Sequence, residues 1–167
     1  MRSRLRVCTK IYELIFVLTR VLFRHFAKEA EQYLADQVVP SDATESRIIL
    51  QPLGPILQAA PFNFPFWQVI RFAAPALMAG NTVIVRHSHS VPQSAEALEE
   101  VFAPSSTGLP QNAYKNSFMD NQCVARSIAD MRIRGVTFTG STQTGRIFAE
   151  MAAKNLKKHV LELGGND

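Results

Sequence analysis

The sequence is poor in cysteine, with only Cys8 and Cys123 among its 167 residues. Two cysteines so far apart supply neither the closely spaced thiols of a zinc site nor the paired thiols of a disulfide framework. A disulfide-stabilised secreted domain is therefore excluded, and we expect a reducing, cytoplasmic setting. The four histidines also lack a metal-binding spacing, so we expect no metal site.

The sequence also lacks an apolar run long enough to cross a membrane. MRSRLR followed by Ile11–Phe23 has the outline of a signal sequence, but Glu13 and Arg20 interrupt it and no small-residue cleavage site follows. The apolar residues of this segment recur instead at helical spacing, at Ile11, Leu14, Ile15, Leu18, Val21 and Leu22. We therefore expect an amphipathic helix that packs against the rest of the chain, and no membrane partner.

Charge is sparse as well: charged residues make up 19% of the chain and the net charge is +4. The basic residues concentrate near the two ends and are not interleaved with aromatic residues, so we expect solvated faces and no nucleic-acid partner. Hydrophobic residues, at 47%, are sufficient for one domain with a real core.

Strand-like and helix-like segments alternate from about Ile56 to Leu163. The predicted strands are Arg47–Gln51, Ile56–Ala60, Thr82–Arg86, Val136–Phe138 and His159–Leu163. The predicted helices are 11–35, Trp67–Ala79, Pro92–Ala103, Asp120–Asp130 and the segment that follows Gly140, with a loop at Pro104–Gln111. This order favours an α/β fold, a mostly parallel sheet with helices on both faces. We divide the chain into a helical segment, residues 1–46, and an α/β part, residues 47–167.

The segment Gly135–Gly145 (GVTFTGSTQTG) predicts a strand, a tight polar turn at Gly140 and Ser141, and a helix. The free N–H groups at a helix N-terminus suit an anion such as a phosphate. The segment alone equally allows Gly140 to make only the turn and Ser141 to make only the helix cap. No lysine follows the glycine turn, which disfavours a phosphate-loop NTPase.

Other polar residues follow predicted strands, where parallel sheets bind ligands. Asn63 can donate to a developing oxyanion, or it can simply bond its own loop. Arg86, with His87 and His89 after it, can hold a ribose or a 2′-phosphate, or it can be a charge at an exposed strand end. Glu162 lies in an apolar strand, where burial would raise its pKa and suit a general base; a structural role is the alternative.

Three segments resemble, in this order, the aldehyde dehydrogenase superfamily: PLGPILQAAPFNFPFWQVIRFAAPALMAGNTVIVRH, GVTFTGSTQTGR and VLELGG. The phrase FNFPFWQVIRFAAPALMAGN is most similar to its succinate-semialdehyde dehydrogenase-like branch. The resemblance runs from about Phe26 to Asp167. It implies part of the aldehyde dehydrogenase fold, with a Rossmann-like sheet: residues 47–167 would be a partial dinucleotide-binding domain, without the catalytic domain of the family. It also implies the oxidation of an aldehyde to a carboxylic acid with NAD or NADP.

The resemblance also implies roles for individual residues. Asn63 matches the asparagine that stabilises the oxyanion, and Glu162 matches the general base. The residues that it places at the cofactor are Phe62, Arg86, His89, Gly140, Ser141, Gly145, Leu163 and Gly164. Among these, Gly140 and Ser141 would face the pyrophosphate and Leu163 and Gly164 the nicotinamide, while Arg86 would lie at the adenosine ribose.

Three of these positions depart from the family pattern. Phe62 replaces the usual tryptophan, and Arg86 replaces a lysine, for which arginine is not an equivalent donor. His89 stands where NAD-preferring members often have a glutamate that grips the ribose hydroxyls. Because losing that carboxylate removes repulsion against a 2′-phosphate, we expect tolerance of NADP.

The nucleophilic cysteine of the family lies beyond the ELGG motif, and neither Cys8 nor Cys123 matches it. We therefore expect a partial chain that does not oxidise aldehydes on its own. The alternative is a non-catalytic nucleotide-binding or subunit-pairing module, because an unpaired sheet edge favours association. Full-length members of the family are expected to be homo-oligomers.

Overall fold

A computed structural model of the protein describes the backbone of residues 2–165 and the side chains of residues 17–165. The helices are α1 (Arg2–Leu34), α2 (Pro65–Met78), α3 (Pro92–Val101), α4 (Pro104–Thr107), α5 (Asn121–Ala129) and α6 (Thr142–Lys154). The strands are β1 (Gln37–Val38), β2 (Arg47–Ile48), β3 (Pro55–Ala59), β4 (Thr82–Arg86), β5 (Tyr114–Asn116), β6 (Gly135–Gly140) and β7 (Lys158–Leu163).

The central sheet contains five parallel strands in the order β5-β4-β3-β6-β7. Starting from β3, the chain builds one side of the sheet through β4 and β5 and then crosses to the other side through β6 and β7. The connection therefore changes direction between β3 and β6. This topological switch point is where sheets of this kind bind ligands, outside the carboxyl ends of the strands.

Helices cover both faces of the sheet. On one face α2 and α3 pack against β4 and β5, with Val69, Val83 and Leu98 at most 1% exposed. On the other face α5 and α6 pack against β3 and β6, where Leu57 and Ile128 are fully buried. The predicted α/β fold, with a mostly parallel sheet and helices on both faces, is confirmed.

Helix α1 runs without a break to Leu34 and packs against α2. Leu22, Phe23 and Phe26 lie on the core formed by α2, α3 and β4, and Ala30 is only 5% exposed. Val21, on the predicted apolar stripe, is 58% exposed, so the buried face of the helix is rotated relative to that stripe. The stripe positions Ile11, Leu14 and Ile15 lie outside the described side chains. The division of the chain at residue 46 stays a prediction.

Two segments differ from the sequence prediction. The predicted strand Arg47–Gln51 was wrong in extent, because only Arg47 and Ile48 pair, antiparallel to β1, and Ile49 and Leu50 are exposed. The apolar run IIL therefore belongs to an exposed hairpin and not to the core. The predicted loop at Pro104–Gln111 contains the single helical turn α4, and the sequence reading missed β5, whose three residues give too short a pattern to recognise.

No helix in the described part of the chain is long and apolar enough to cross a membrane.

Candidate functional site at the carboxyl edge of the sheet

The sequence-predicted site residues lie along one edge of the sheet. Arg86 ends β4, the Phe62 and Asn63 loop follows β3, Gly140 ends β6, and Glu162 is the penultimate residue of β7. From β4 to β7 there are three inter-strand spacings, which correspond to about 14 Å. The residues are therefore spread along this edge of the sheet, which suits an elongated ligand better than a small ion.

The start of α6 is built around Ser141. Its side chain accepts a hydrogen bond from the Thr144 N–H at 3.3 Å and its hydroxyl lies 3.0 Å from Thr144 Oγ1. Ser141 is therefore the N-cap of the helix, as one of the two sequence interpretations held. The remaining N–H groups of the first turn have no partner within the helix and point toward the carboxyl edge, where the positive end of the dipole also lies.

The two glycines of the turn allow close packing. A Cβ at Gly140 would lie 2.6 Å from Cζ of Phe138, and a Cβ at Gly145 would lie 2.3 Å from Cδ2 of Leu163. Gly145 is buried within the first turns of α6, so it lets the end of β7 approach that helix directly. In dinucleotide-binding turns, glycines serve this same close approach between helix and strand.

The end of β7 is hydrogen-bonded to this turn. The Gly164 N–H donates to the Gly140 carbonyl at 3.2 Å, and the Thr142 hydroxyl donates to the Gly164 carbonyl at 3.3 Å. The segment Leu163–Gly164 is thus fixed beside the helix start. The structure brings together the residues that the sequence resemblance assigned to pyrophosphate and nicotinamide.

Arg86 is half-buried at the end of β4, on the other side of the switch point from β6 and β7. Its Nε donates to the Met119 carbonyl at 3.3 Å, which ties it to the loop after β5. His89 is exposed, and its ring lies 5.8 Å from that of Phe118 in the same loop. Arg86 and His89 therefore share one surface at the end of β4 and β5.

His87 does not contribute to that surface. It is 0% exposed, and neither ring nitrogen has a hydrogen-bond partner among the described residues. Burial lowers the pKa of His87 to about 4, so the ring is neutral at pH 7. The sequence hypothesis that grouped His87 with the ligand-holding donors at this strand end is not supported.

Glu162 is less buried than the sequence suggested. Its side chain is 52% exposed, so the expectation of a buried carboxylate was wrong. The reason is topological: β7 is the edge strand of the sheet, with a strand on one side only among the described residues. The Glu162 carboxylate is instead held by an ion pair, with Oε1 3.6 Å from Nη1 of Arg71.

Arg71 is the residue that sequence reasoning missed. It comes from α2, and its Nη2 also donates to Oγ1 of Thr139 at 3.3 Å, so it spans the ends of β6 and β7. Its signal was present in the sequence, as the only charge within the apolar helix WQVIRFAAPALMA. A lone cation in a buried helix needs a partner, and the tertiary structure supplies it.

Arg71 and Glu162 line a cavity of about 380 Å³ between α2 and the strands β6 and β7. Trp67, the only tryptophan of the chain, also lines it, as does Gln58. The Nε2 of Gln58 donates to the Gln68 carbonyl at 2.8 Å, but its Oε1 is buried without a partner among the described residues. The cavity therefore combines a cation, a carboxylate and a free buried acceptor.

Asn63 lies in the loop between β3 and α2. Its side chain is exposed and forms no hydrogen bond with any described residue. Phe64 next to it adopts a left-handed conformation (φ 49°) and caps α2, while Phe62 is 64% exposed. The loop thus presents a free amide at the switch point.

Comparison with known proteins identifies the family. The sequence pattern of the aldehyde dehydrogenase family matches residues 17–167. The chain belongs to the aldehyde dehydrogenase family.

Its relatives include succinate-semialdehyde dehydrogenases. The chain is 50% identical over 144 residues to a probable NADP+ succinate-semialdehyde dehydrogenase of Synechocystis, with 86% of this chain and 31% of the relative covered. It is 41% identical over 150 residues to the NADP+ succinate-semialdehyde dehydrogenase of Deinococcus radiodurans, with 90% and 31% covered.

A solved structure shares the fold. The chain superimposes on the succinic semialdehyde dehydrogenase of Streptococcus pyogenes, determined with NADP+, with a TM-score of 0.80 at 36% identity; the match covers 86% of this chain and 31% of that one. The chain therefore spans about a third of the length of the relatives it matches.

No cluster of three or more metal-ligating side chains occurs within the part of the chain that the structure describes.

Proposed function

We propose that this chain forms the cofactor-binding part, and one wall of the aldehyde site, of an NADP-dependent aldehyde dehydrogenase. The observation that carries the proposal is the arrangement along one sheet edge of Arg86, the Ser141 helix start and the Arg71–Glu162 pair. The order of these groups matches the order of ribose, phosphates and nicotinamide in an extended dinucleotide.

The residues present fit a dinucleotide. The α6 N-terminus offers N–H groups to phosphate oxygens. Gly140 and Gly145 lie directly against the side chains of Phe138 and Leu163, and as glycines they add no side chain of their own to the turn. Bound at this edge, the cofactor would supply a hydride acceptor for an aldehyde.

NADP is favoured over NAD. A 2′-phosphate needs a cation, and the Arg86 guanidinium lies at the end of β4, where the ribose would be. His89, exposed beside it, contributes no negative charge. The names of the Synechocystis and Deinococcus relatives specify NADP+, which agrees with this choice.

Glu162 and Asn63 would act on the aldehyde carbon. The ion pair with Arg71 engages Oε1 of Glu162 and leaves Oε2 to accept a proton from an attacking water. The exposed Asn63 amide would donate to the oxygen on which negative charge develops. The nucleophilic cysteine of the family matches neither Cys8 nor Cys123, so we expect the 167-residue chain, tested on its own, to bind cofactor without turnover.

Arg71 points to an aldehyde that carries a carboxylate. It is the cation of the cavity at Glu162, so the acid group of succinate semialdehyde would find a charge partner there. Several relatives are succinate-semialdehyde dehydrogenases by name, which supports the same substrate class.

Titration with NADP, followed by Trp67 fluorescence, tests cofactor binding. Trp67 lines the same cavity as Glu162, next to which the nicotinamide would lie. We expect saturation by NADP and about tenfold weaker binding of NAD. Arg86→Met should remove the preference, and Lys154→Met, at the far end of α6, should keep it. A folded chain that does not respond to NADP would refute the proposal.

Titration with succinate in the presence of NADP tests the substrate class. Succinate should change the fluorescence of Trp67, succinamide should not, and Arg71→Gln should abolish the response. Equal binding of the charged and uncharged compounds would rule out Arg71 as the acid-binding cation.

A subunit-pairing role is the second candidate. The observation in its favour is the edge strand β7, whose outer side is unpaired within the described residues and whose Val160 is 57% exposed. Sedimentation velocity separates the two functions: a concentration-dependent dimer that Val160→Lys abolishes supports pairing, and a monomer at all concentrations contradicts it.

The proposal also places the protein in the cytosol, since Cys123 is a free thiol, the state that reducing compartments maintain.

A further inference from the structure

The cation and the carboxylate of the 380 Å³ cavity are held together loosely. Oε1 of Glu162 lies 3.6 Å from Nη1 of Arg71, which is an ion pair without a hydrogen bond, since such bonds join N and O within about 3.2 Å. The two side chains are 52% and 30% exposed, so water screens their attraction. Another anion can therefore replace Glu162 as the partner of Arg71.

A separate contact fixes Arg71 in the cavity. Its Nη2 donates a hydrogen bond to Oγ1 of Thr139 at 3.3 Å. Thr139 lies directly beside Glu162 in the parallel register of β6 and β7, so both partners approach the guanidinium from the same face of the sheet. Because the bond to Thr139 does not involve Glu162, Arg71 can lose the carboxylate and still keep its position.

A ligand carboxylate in this cavity would compete with Glu162. Among the described residues that line it, Arg71 is the only cation and Glu162 the only anion. A carboxylate that accepts a hydrogen bond from Nη1 of Arg71 comes next to the Glu162 carboxylate, and the two like charges repel each other. Glu162 is the more exposed partner and has no hydrogen bond to Arg71, so it is the group that yields.

We propose that the acid group of a substrate takes Arg71 from Glu162 and thereby releases the carboxylate that serves as general base. This inference rests on the proposed function, which assigns the acid group to Arg71 and the proton to Glu162. A neutral aldehyde of the same length has no group to exchange and leaves Glu162 paired. The exchange therefore adds to the selectivity of the site, because only an aldehyde that carries a carboxylate releases the base.

Titration of the full chain with propionate, followed by Trp67 fluorescence, tests the competition, since propionate carries the acid group without the aldehyde. Glu162→Gln removes the competing charge and should tighten propionate by about two- to fivefold, the range expected for an exposed ion pair. Glu150→Gln is the matched control, an exposed carboxylate on α6, across the sheet from α2, and should leave the affinity unchanged. Equal affinities of the wild type and Glu162→Gln would overturn the proposal.

A conservative variant separates exchange at Arg71 from simple repulsion. Glu162→Asp keeps the negative charge, but its shorter side chain withdraws the carboxylate from Arg71. If propionate replaces Glu162 at the guanidinium, Glu162→Asp should tighten propionate about as much as Glu162→Gln does. A gain in Glu162→Gln alone, with wild-type affinity in Glu162→Asp, would show repulsion at a distance and contradict the exchange.

The NMR signal of the Glu162 carboxyl carbon, assigned by its loss in Glu162→Gln, follows the release directly. Its position in Arg71→Gln is the reference for a carboxylate without its cation. Saturation of the wild type with propionate should move the signal toward that reference, and the neutral analogue propionamide should not. A signal that propionate leaves at its unliganded position would overturn the proposal.

Failure of the proposed function gives a different pattern from failure of this inference. A folded chain that does not respond to NADP refutes the cofactor proposal. A chain that does not bind propionate, or whose Arg71→Gln variant binds it like the wild type, refutes Arg71 as the acid-binding cation. An intact NADP response and a loss of propionate in Arg71→Gln, combined with equal propionate affinities of the wild type, Glu162→Gln and Glu162→Asp, would overturn the exchange alone.

Discussion

Leu163 lies against Gly145 so closely that a Cβ added to the glycine would approach Cδ2 of Leu163 at 2.3 Å. Through this contact the last strand, β7, packs against α6, the helix whose N-terminus is the proposed phosphate site. The Gly164 N–H and the Thr142 hydroxyl reinforce the same junction with hydrogen bonds. Gly145 is therefore needed for packing between helix and strand, which in turn positions the end of β7.

We expect Gly145→Ala to lower the free energy of unfolding by about 1–2 kcal/mol, because overpacking exceeds the gain in helix propensity. In a Leu163→Ala background the clash is absent, so the same substitution should stabilise the chain by up to about 1 kcal/mol. Urea unfolding of the four variants measures this change of sign. Gly164→Ala is the control, since a Cβ there meets nothing within 4 Å. A penalty that is equal in both backgrounds would contradict the packing role.

The Arg71–Glu162 ion pair should contribute little to stability, because its side chains are 30% and 52% exposed. A double-mutant cycle with Arg71→Gln and Glu162→Gln should give a coupling energy below about 1 kcal/mol that decreases with added salt. Urea unfolding at low and high ionic strength measures it. A coupling of several kcal/mol, insensitive to salt, would show a structural role in place of the proposed functional one.

His87 should make the stability depend on pH. Because its pKa is lowered from 6.5 to about 4, the unfolded chain binds a proton between these values that the folded chain does not. The free energy of unfolding should therefore be unaffected by this residue above pH 6.5 and should fall as the pH drops toward 4, by at most about 3 kcal/mol.

The test for His87 is urea unfolding at a series of pH values. His87→Phe removes the titrating group and should flatten this part of the profile. His89→Gln, at an exposed ring, should retain the wild-type slope. A profile of His87→Phe that is as steep as that of the wild type would refute the assignment.

Two substitutions of Ser141 distinguish its contribution to helix stability from its contribution to anion binding. Ser141→Ala should cost about 1 kcal/mol of stability, because the cap to the Thr144 N–H is lost. Ser141→Asp should keep the cap and the stability, but its negative charge should weaken NADP by tenfold or more through repulsion of the phosphates. Thermal unfolding and the Trp67 titration measure the two effects. Unchanged NADP affinity in Ser141→Asp would contradict a phosphate site at this helix.

Asn81 should be important for the loop before β3. Its Oδ1 accepts hydrogen bonds from the Leu53 and Gly54 N–H groups at 2.8 and 3.1 Å, and its Nδ2 donates to the Ala76 carbonyl. Asn81→Ala leaves the Leu53 and Gly54 N–H groups without this acceptor, while the Ala76 carbonyl keeps the bond from the backbone N–H of residue 81, and should cost about 1–2 kcal/mol. Asn81→Asp, which retains the acceptor, should cost less. Equal losses in the two variants, measured by urea unfolding, would show that the acceptor is unimportant.

Much of the fold follows from local patterns. Thr82–Arg86 is a strand at the predicted bounds, and β3, α2, α5 and β7 lie within about two residues of prediction. The pattern failed where its cause was not local: Ile49 and Leu50 belong to the predicted strand Arg47–Gln51, but no described strand pairs with them and both are exposed. The three residues of β5 are a strand only because β4 pairs with them.

The sequence by itself determined the alternation of strands and helices, the glycine turn and the family, because period, turn residues and long motifs are local properties of the chain. Tertiary structure decided which groups meet. It placed Arg71 of α2 against Glu162 of β7, left that carboxylate half-exposed at a sheet edge, and buried His87. It also showed why the segment Gly135–Gly145 ends in a glycine, since Gly145 lies directly against Leu163. These outcomes depend on strand order and helix packing, which bring together residues that are far apart in the sequence.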